Sequence, residues 1–270
     1  RNNYEDLRAC LISLSSQEIG PRYRLRLVVI DNGSSDGSSH RIQQEFPGYE
    51  YIFNEKNLGF ARAVNQGIAR FPDSDHFLLV NNDATLASDC LEKLLAAKAD
   101  LAGPTIYYKN QPGKIWQSGG YFHKYKMGIS IPLKNRTLEN NQTRTAGFLS
   151  GCVLLVSRHA LGIIDGFDDR FFFYGEDLDL CLRARAAGLK ISYVAEASAW
   201  HNIEEVAKSR TNPFVLENLA FSFILVGRKH FPALAAYILF LFIFVYTPFR
   251  FYQIIKGGQN PKNILSWLRG

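Results

Sequence analysis

Four aromatics, Phe171, Phe172, Phe173 and Tyr174, lead through Gly175 into three acids, Glu176, Asp177 and Asp179. A carboxylate held against apolar rings loses hydration. Its pKa rises, and it becomes a usable base near neutral pH. Asp177 is the candidate base, and Glu176 is the neighbour that tunes it or touches a substrate. The same acids also suit an ordinary helix. Leu178, Cys181 and Leu182 recur at helical spacing, Arg183 and Arg185 close the last turn, and Gly188 stops it. In that reading Asp179 and Arg183 form an i,i+4 ion pair. Helix design accounts for the acids but not for the aromatics crowding them.

Three further polar clusters could do chemistry. Asp31, Gly33 and Ser34 follow the apolar run Leu25–Ile30. An acid there can accept hydrogen bonds from a nucleotide base or ribose, or it can simply make a turn capped by Ser35 or Asp36. Asn57 and Gly59 precede a helix with Arg62 in its first turn. The free N–H groups of such an end suit a phosphate, and an ordinary capped helix fits equally well. Asn81, Asn82 and Asp83 follow Phe77–Val80. Their oxygens suit Mg²⁺ or Mn²⁺, which would bridge diphosphate oxygens; an Asx-rich turn is the rival. His201, after Trp200, can add an imidazole ligand or serve structure alone.

The elements that must position these residues alternate. Helices are predicted over 4–17, 38–46, from Phe60 to about Phe71, near 88–98 and after Gly175. Strands are predicted over 25–30, 51–53, 77–80, 101–107, 151–156 and 191–194, and 108–144 is loop-rich. This is an α/β pattern with a mostly parallel sheet flanked by helices, and such sheets bind ligands at the C-terminal ends of their strands.

Composition narrows the class. The chain has 270 residues, and 47% of them are apolar, enough to bury a core. The net charge is +6. Residues 201–270 hold eight Lys and Arg against three Glu, a local +5. That basic end accompanies a hydrophobic helix predicted over 214–226 and an uncharged run from Ala233 to Phe249, about 26 Å as a helix. The run spans a membrane, lies in its interface or packs in protein. The pairing points to anionic membrane lipid, and no nucleic-acid signature is present. Cys10, Cys90, Cys152 and Cys181 have no metal spacing and read as reduced core residues. Asn32, Asn135 and Asn141 match the glycosylation pattern by chance.

Taken in order, several stretches resemble family 2 glycosyltransferases with the GT-A fold, in the bacterial rhamnosyltransferase branch. They are Leu27–Gly37, Asn57–Gly67, Leu78–Asp83, Ser150–Cys152, Gly166–Asp179 and Trp200–His201. The resemblance implies that Asp31 contacts the nucleotide and Asp83 is the metal-binding acid. It makes Asp177 the base for an acceptor hydroxyl and lets His201 join the metal or diphosphate. It implies an inverting, metal-dependent transfer, with Mg²⁺ or Mn²⁺, from a dTDP- or UDP-sugar to a glycan or lipid-linked saccharide. L-rhamnose from dTDP-rhamnose is the leading donor. The rivals are galactofuranosyl or glucosyl transfer from a UDP-sugar, and an inactive membrane-associated scaffold.

The expected organisation is a catalytic domain over 1–207 and a basic, hydrophobic helical tail over 208–270, at the cytoplasmic face of a bacterial membrane. Two departures stand out. Asn81 replaces the first Asp of the family's DxD element. The family also opens with an apolar strand ahead of the first helix, whereas this chain starts at Arg1, so an N-terminally incomplete sequence is expected.

Overall fold

The computed structural model describes residues 3–123, 128–132, 134, 142–203 and 213–233. The chain divides into two compact units, Arg1–Ser222 and Phe223–Gly270. The first holds the sheets and the polar clusters. Most of the second, including 234–249, lies outside the described residues, as do positions 135, 141 and the expected boundary near 207.

The order is α1 (Tyr4–Ser15), β1 (Val28–Asn32), α2 (Ser38–Glu45), β2 (Glu50–Asn54), α3 (Phe60–Arg70), β3 (His76–Val80), β4 (Ala84–Leu86) and α4 (Cys90–Ala96). Then come β5 (Leu101–Tyr108), β6 (Ile115–Gln117), β7 (Tyr121–His123), β8 (Gly128–Ser130), β9 (Arg144–Thr145) and β10 (Val153–Ser157). They are followed by α5 (Arg158–Ile164), α6 (Glu176–Ala186), β11 (Ile191–His201) and α7 (Pro213–His230). The α/β class read from the sequence is the class found. The loop-rich stretch 108–144 contains short strands, each two or three residues long.

The main sheet has seven strands, ordered β3-β10-β5-β11-β4, with β6 on β5 and β9 on β11. It is mixed: β5 and β11 pair in parallel, and the other pairs in it are antiparallel. The unbroken apolar run of β10 and the 101–107 segment of β5 are buried on both faces, as central strands require. β1 and β2 form a separate parallel pair.

Between β1 and β3 lies a cavity of about 610 Å³, lined by Leu27, Val29, Phe77 and Leu79 and covered by Leu7 and Leu11 of α1. The other major core contributions come from Leu91 and Leu94 of α4, which pack with Leu86 and Ile106. All four cysteines are buried and free. Burial pushes the Cys10, Cys90 and Cys181 thiols up to about 12, so they stay protonated and unreactive.

Candidate functional site

β3 ends at Val80, and the chain turns through Asn81, Asn82 and Asp83 into β4. Ala84 N–H donates to the Asn81 carbonyl at 3.0 Å, which makes the turn the sequence offered as a rival reading. Because β4 pairs with the end of β11, Ala84 faces His201 and Asp83 faces Asn202. Asp83 Oδ1 therefore comes within 3.1 Å of His201 Nε2. The distance is that of an ion pair, but the alignment makes no hydrogen bond. Asp83 Oδ1 and both His201 ring nitrogens are buried without a partner. Trp116 covers the imidazole, with ring centroids 4.6 Å apart.

This pair fits a divalent cation. Buried oxygen and nitrogen atoms with nothing to bond to are costly unless a ligand satisfies them. In an octahedral site with bonds of about 2.1 Å, neighbouring donor atoms lie about 3.0 Å apart. Oxygen plus imidazole suits Mn²⁺. Among the described residues no group of three or more His, Cys, Asp or Glu gathers around a common point. A cation here would take its remaining ligands from diphosphate and water.

The acids of α6 sit on the other side of the segment Ser150-Gly151-Cys152. Gly151 N–H donates to Asp177 Oδ2 at 3.1 Å. Cys152 accepts from Asn81 N–H at 2.8 Å through its carbonyl oxygen. Two adjacent residues, Gly151 and Cys152, therefore tie the candidate base to the candidate metal turn. Leu178 N–H gives Asp177 Oδ1 a second hydrogen bond at 2.8 Å.

Glu176 is buried, and its Oε2 has no partner. Burial, then the charge of Asp177, pushes Glu176 up to about 8. Burial also raises Asp177, against the lowering effect of its backbone donors. The backbone donors on Asp177 favour its charged form, whereas Glu176 Oε2 has no such donor. Two adjacent carboxyls with environments pushed apart in this way take different roles.

The aromatics of the lead-in differ in exposure. Phe171 is buried, whereas Phe173 is exposed and packs on Tyr174 at 4.1 Å. Tyr174 and Gly175 both adopt left-handed backbone conformations, φ 67° and 84°, and this kink turns the chain into α6. Asp179 is fully buried and bonds Arg183 at 2.7 Å, the i,i+4 pair read from the sequence.

The cluster at Asn57, Gly59 and Arg62 makes contacts within the protein. Phe60 N–H, the first of α3, donates to the Phe172 carbonyl at 3.1 Å. Asn57 Oδ1 accepts from Gly59 N–H and from Asn32 Nδ2. Arg62 lies 3.8 Å from Asp169, with both side chains more than half exposed. Phe60 and Arg62 thus contact the 167–173 loop. Asn65, one turn further on, adds three bonds to that loop, to Phe167 N–H, the Phe167 carbonyl and Asp169.

Asp31 sits at the end of β1, and its carboxylate accepts from Ser34 N–H at 3.1 Å, with Gly33 at φ 76° between them. Asn32 is engaged with Asn57, Leu58 and Gly59, so this matched glycosylation position is occupied by loop contacts. Asn82 lines the cavity between β1 and β3 together with Asn32.

The family model described as glycosyl transferase family 2 matches residues 1–162. The chain belongs to glycosyl transferase family 2. A second model, described as the N-terminal domain of galactosyltransferase, matches residues 139–207. Over 218 residues the chain is 29% identical to N-acetylglucosaminyl-diphospho-decaprenol L-rhamnosyltransferase of Mycobacterium tuberculosis, covering 70% of each chain. It is 32% identical over 193 residues to rhamnosyltransferase WbbL of Escherichia coli, covering 65% of this chain and 72% of the relative. Among solved structures it is similar to GalNAc-T7, crystallised with UDP, GalNAc and Mn²⁺ (TM-score 0.60, 15% identity). That likeness covers 74% of this chain and 41% of the other, and it bears on the fold alone. The protein is a glycosyltransferase with a GT-A-like fold.

Proposed function

We propose that this family 2 glycosyltransferase moves a sugar, L-rhamnose from dTDP-rhamnose, onto a hydroxyl of a lipid-linked saccharide, with inversion at the anomeric carbon. One observation carries the reading: Cys152 is bonded to Asn81, which opens the turn carrying Asp83 beside His201, and the adjoining Gly151 is bonded to Asp177. Asp177 takes the proton from the acceptor hydroxyl, and that oxygen attacks the anomeric carbon as the nucleoside diphosphate leaves on the opposite face. Asp83 and His201 would hold Mn²⁺ or Mg²⁺, which neutralises charge on the departing diphosphate. One base and one such charge sink suffice, and no covalent sugar–enzyme intermediate is required. Phe173 and Tyr174 offer rings for the acceptor to stack on. Asp31 and Ser34 face the nucleotide.

The rhamnosyltransferases among the relatives support the donor. The galactosyltransferase-domain match over 139–207 favours a UDP-hexose as the second reading. Work at the cytoplasmic membrane face is supported by α7, where Phe221, Phe223 and Ile224 are exposed and Arg228, Lys229 and His230 close the helix. Among the described residues no helix is long and apolar enough to cross a membrane.

The test is a thermal-shift screen of dTDP-rhamnose against UDP-sugars, with and without Mn²⁺. A true donor at about 100 times its Kd adds about 2.7 kcal/mol. Stabilisation by dTDP-rhamnose that needs Mn²⁺ supports the first reading. A response to UDP-sugars alone moves the assignment to the second. NMR of the product anomer decides whether the transfer inverts.

A further inference from the structure

Asp6 stands in the first turn of α1, and its carboxylate is nearly buried. An acid in that position ordinarily serves its own helix. Here it reaches well beyond it. Asp6 Oδ1 accepts from Lys109 Nζ at 2.8 Å. Asp6 Oδ2 accepts from Asn202 Nδ2 at 2.9 Å and from Asn3 Nδ2 at 2.6 Å. The first two partners are not neutral bystanders. Lys109 donates its backbone N–H to the His201 carbonyl at 2.9 Å, and Asn202 donates its own to the Asp83 carbonyl at 2.9 Å. The two residues that Asp6 grips across the fold are thus the two whose main chains hold His201 and Asp83.

We propose that Asp6 is a positioning residue for the cation pair: by clasping Lys109 and Asn202 it fixes the separation of Asp83 and His201. The inference rests on the reading of that pair as the metal ligands. The physical reason is rigidity. His201 and Asn202 lie at the end of β11, where the ladder stops, and neither His201 ring nitrogen is anchored by a hydrogen bond. A histidine ligand is ordinarily oriented by a partner on its second nitrogen. With none here among the described residues, the imidazole rests on Trp116, on the nearby Asp83 carboxylate and on its own backbone. The Lys109–Asp6 ion pair and the Asn202–Asp6 bond hold that backbone from α1, more than 190 residues away in the chain. Losing one of these donors leaves a nearly buried carboxylate under-satisfied, and the strand end then moves.

The experiment measures Mn²⁺ affinity directly, from the electron paramagnetic resonance signal of free Mn²⁺ titrated with protein and saturating nucleoside diphosphate. Four variants are compared: Asp6→Asn, Lys109→Met, Lys109→Arg and His201→Ala. Loss of a supporting contact typically weakens metal binding about 10- to 100-fold. Asp6→Asn and Lys109→Met are expected to weaken Mn²⁺ by that factor with metal-free nucleotide affinity unchanged, and Lys109→Arg to restore binding. A purely structural role would lower the unfolding temperature without moving the metal constant. If His201→Ala abolishes Mn²⁺ binding and both Asp6→Asn and Lys109→Met bind it as wild type does, the positioning role is overturned and the metal pair stands. If His201→Ala itself binds Mn²⁺ normally, the metal reading falls, and this inference with it. Should Asp6→Asn fail to fold, the two Lys109 variants decide by the same comparison.

Discussion

Gly151 and Asp177 are joined by a backbone N–H to carboxylate hydrogen bond of 3.1 Å, and the residue after Gly151 is bonded to Asn81. The proposed base therefore has a fixed place relative to the turn that carries Asp83. Asp177→Asn keeps shape and volume but cannot accept a proton. Turnover is expected to fall about 10²- to 10⁴-fold with donor affinity retained. Unchanged turnover would remove Asp177 from the role. Because burial raises the Asp177 pKa, activity is expected to fail on the acid side at a pH above the ordinary carboxylate range, as kcat/KM against pH would show.

Glu176 makes stability depend on pH in a defined direction. Its carboxyl rises from 4.5 to about 8 on folding, so between those values the folded chain binds more protons than the unfolded one. The stabilisation is complete below about 4.5 and is lost as pH rises through about 8. Glu176→Gln removes this dependence. Urea unfolding across that window should show a slope flatter by up to about 1.4 kcal/mol per pH unit. Parallel profiles for the two proteins would contradict the burial argument.

Asp179 is the acid that chemistry does not need. It is fully buried against Arg183, whose own side chain is mostly covered. Asp179→Ala leaves that guanidinium without its carboxylate and is expected to cost about 3–5 kcal/mol. The double variant Asp179→Ala with Arg183→Met should recover most of the loss. Urea midpoints would check both, and a single-variant cost below about 1 kcal/mol would place the pair among those of little consequence.

Gly59 is a packing requirement. At φ 87°, a Cβ on it would stand 2.7 Å from the Phe172 carbonyl oxygen and 3.0 Å from the Phe172 Cα. Backbone cannot swing aside as a side chain can. Gly59→Ala is expected to cost about 1–3 kcal/mol in strain alone. It should also disturb the loop into α6, lowering turnover more than nucleotide affinity. A variant as stable and active as wild type would show that the loop is not held from α3.

What the sequence made legible was local. The Asp179–Arg183 pair needs only helical spacing, and α1, α3, α6 and β10 follow from apolar periodicity. The Asp83–His201 contact could not be read from spacing, because it depends on β4 pairing with the end of β11 across the sheet. Resemblance named both residues, and strand register explains why they meet. The contacts of the Asn57–Arg62 cluster were equally illegible. A helix start with glycine and arginine offers donors to any anion, and here the Phe172 carbonyl takes the first of them. Asp6 gave no signal of reach, since an acid in a first turn is commonplace. Gly151 lay within a recognised stretch without a role until its N–H was seen on Asp177.

The separation of β1 from β3 has a consequence in the language of hydrogen exchange. β10 is laddered on both sides, by β3 and β5, whereas among the described strands β1 has β2 alone. Amides of Val153–Ser157 can exchange only by opening a two-sided ladder, but those of Val28–Asn32 need only the parting of one parallel pair beside a cavity. The β1–β2 unit, which carries Asp31, is thus a separate opening unit of lower protection than the sheet bearing Asp83 and His201. Deuterium uptake that begins at β1 and leaves β10 dark would mark the half that carries Asp31 as the part of this domain that breathes.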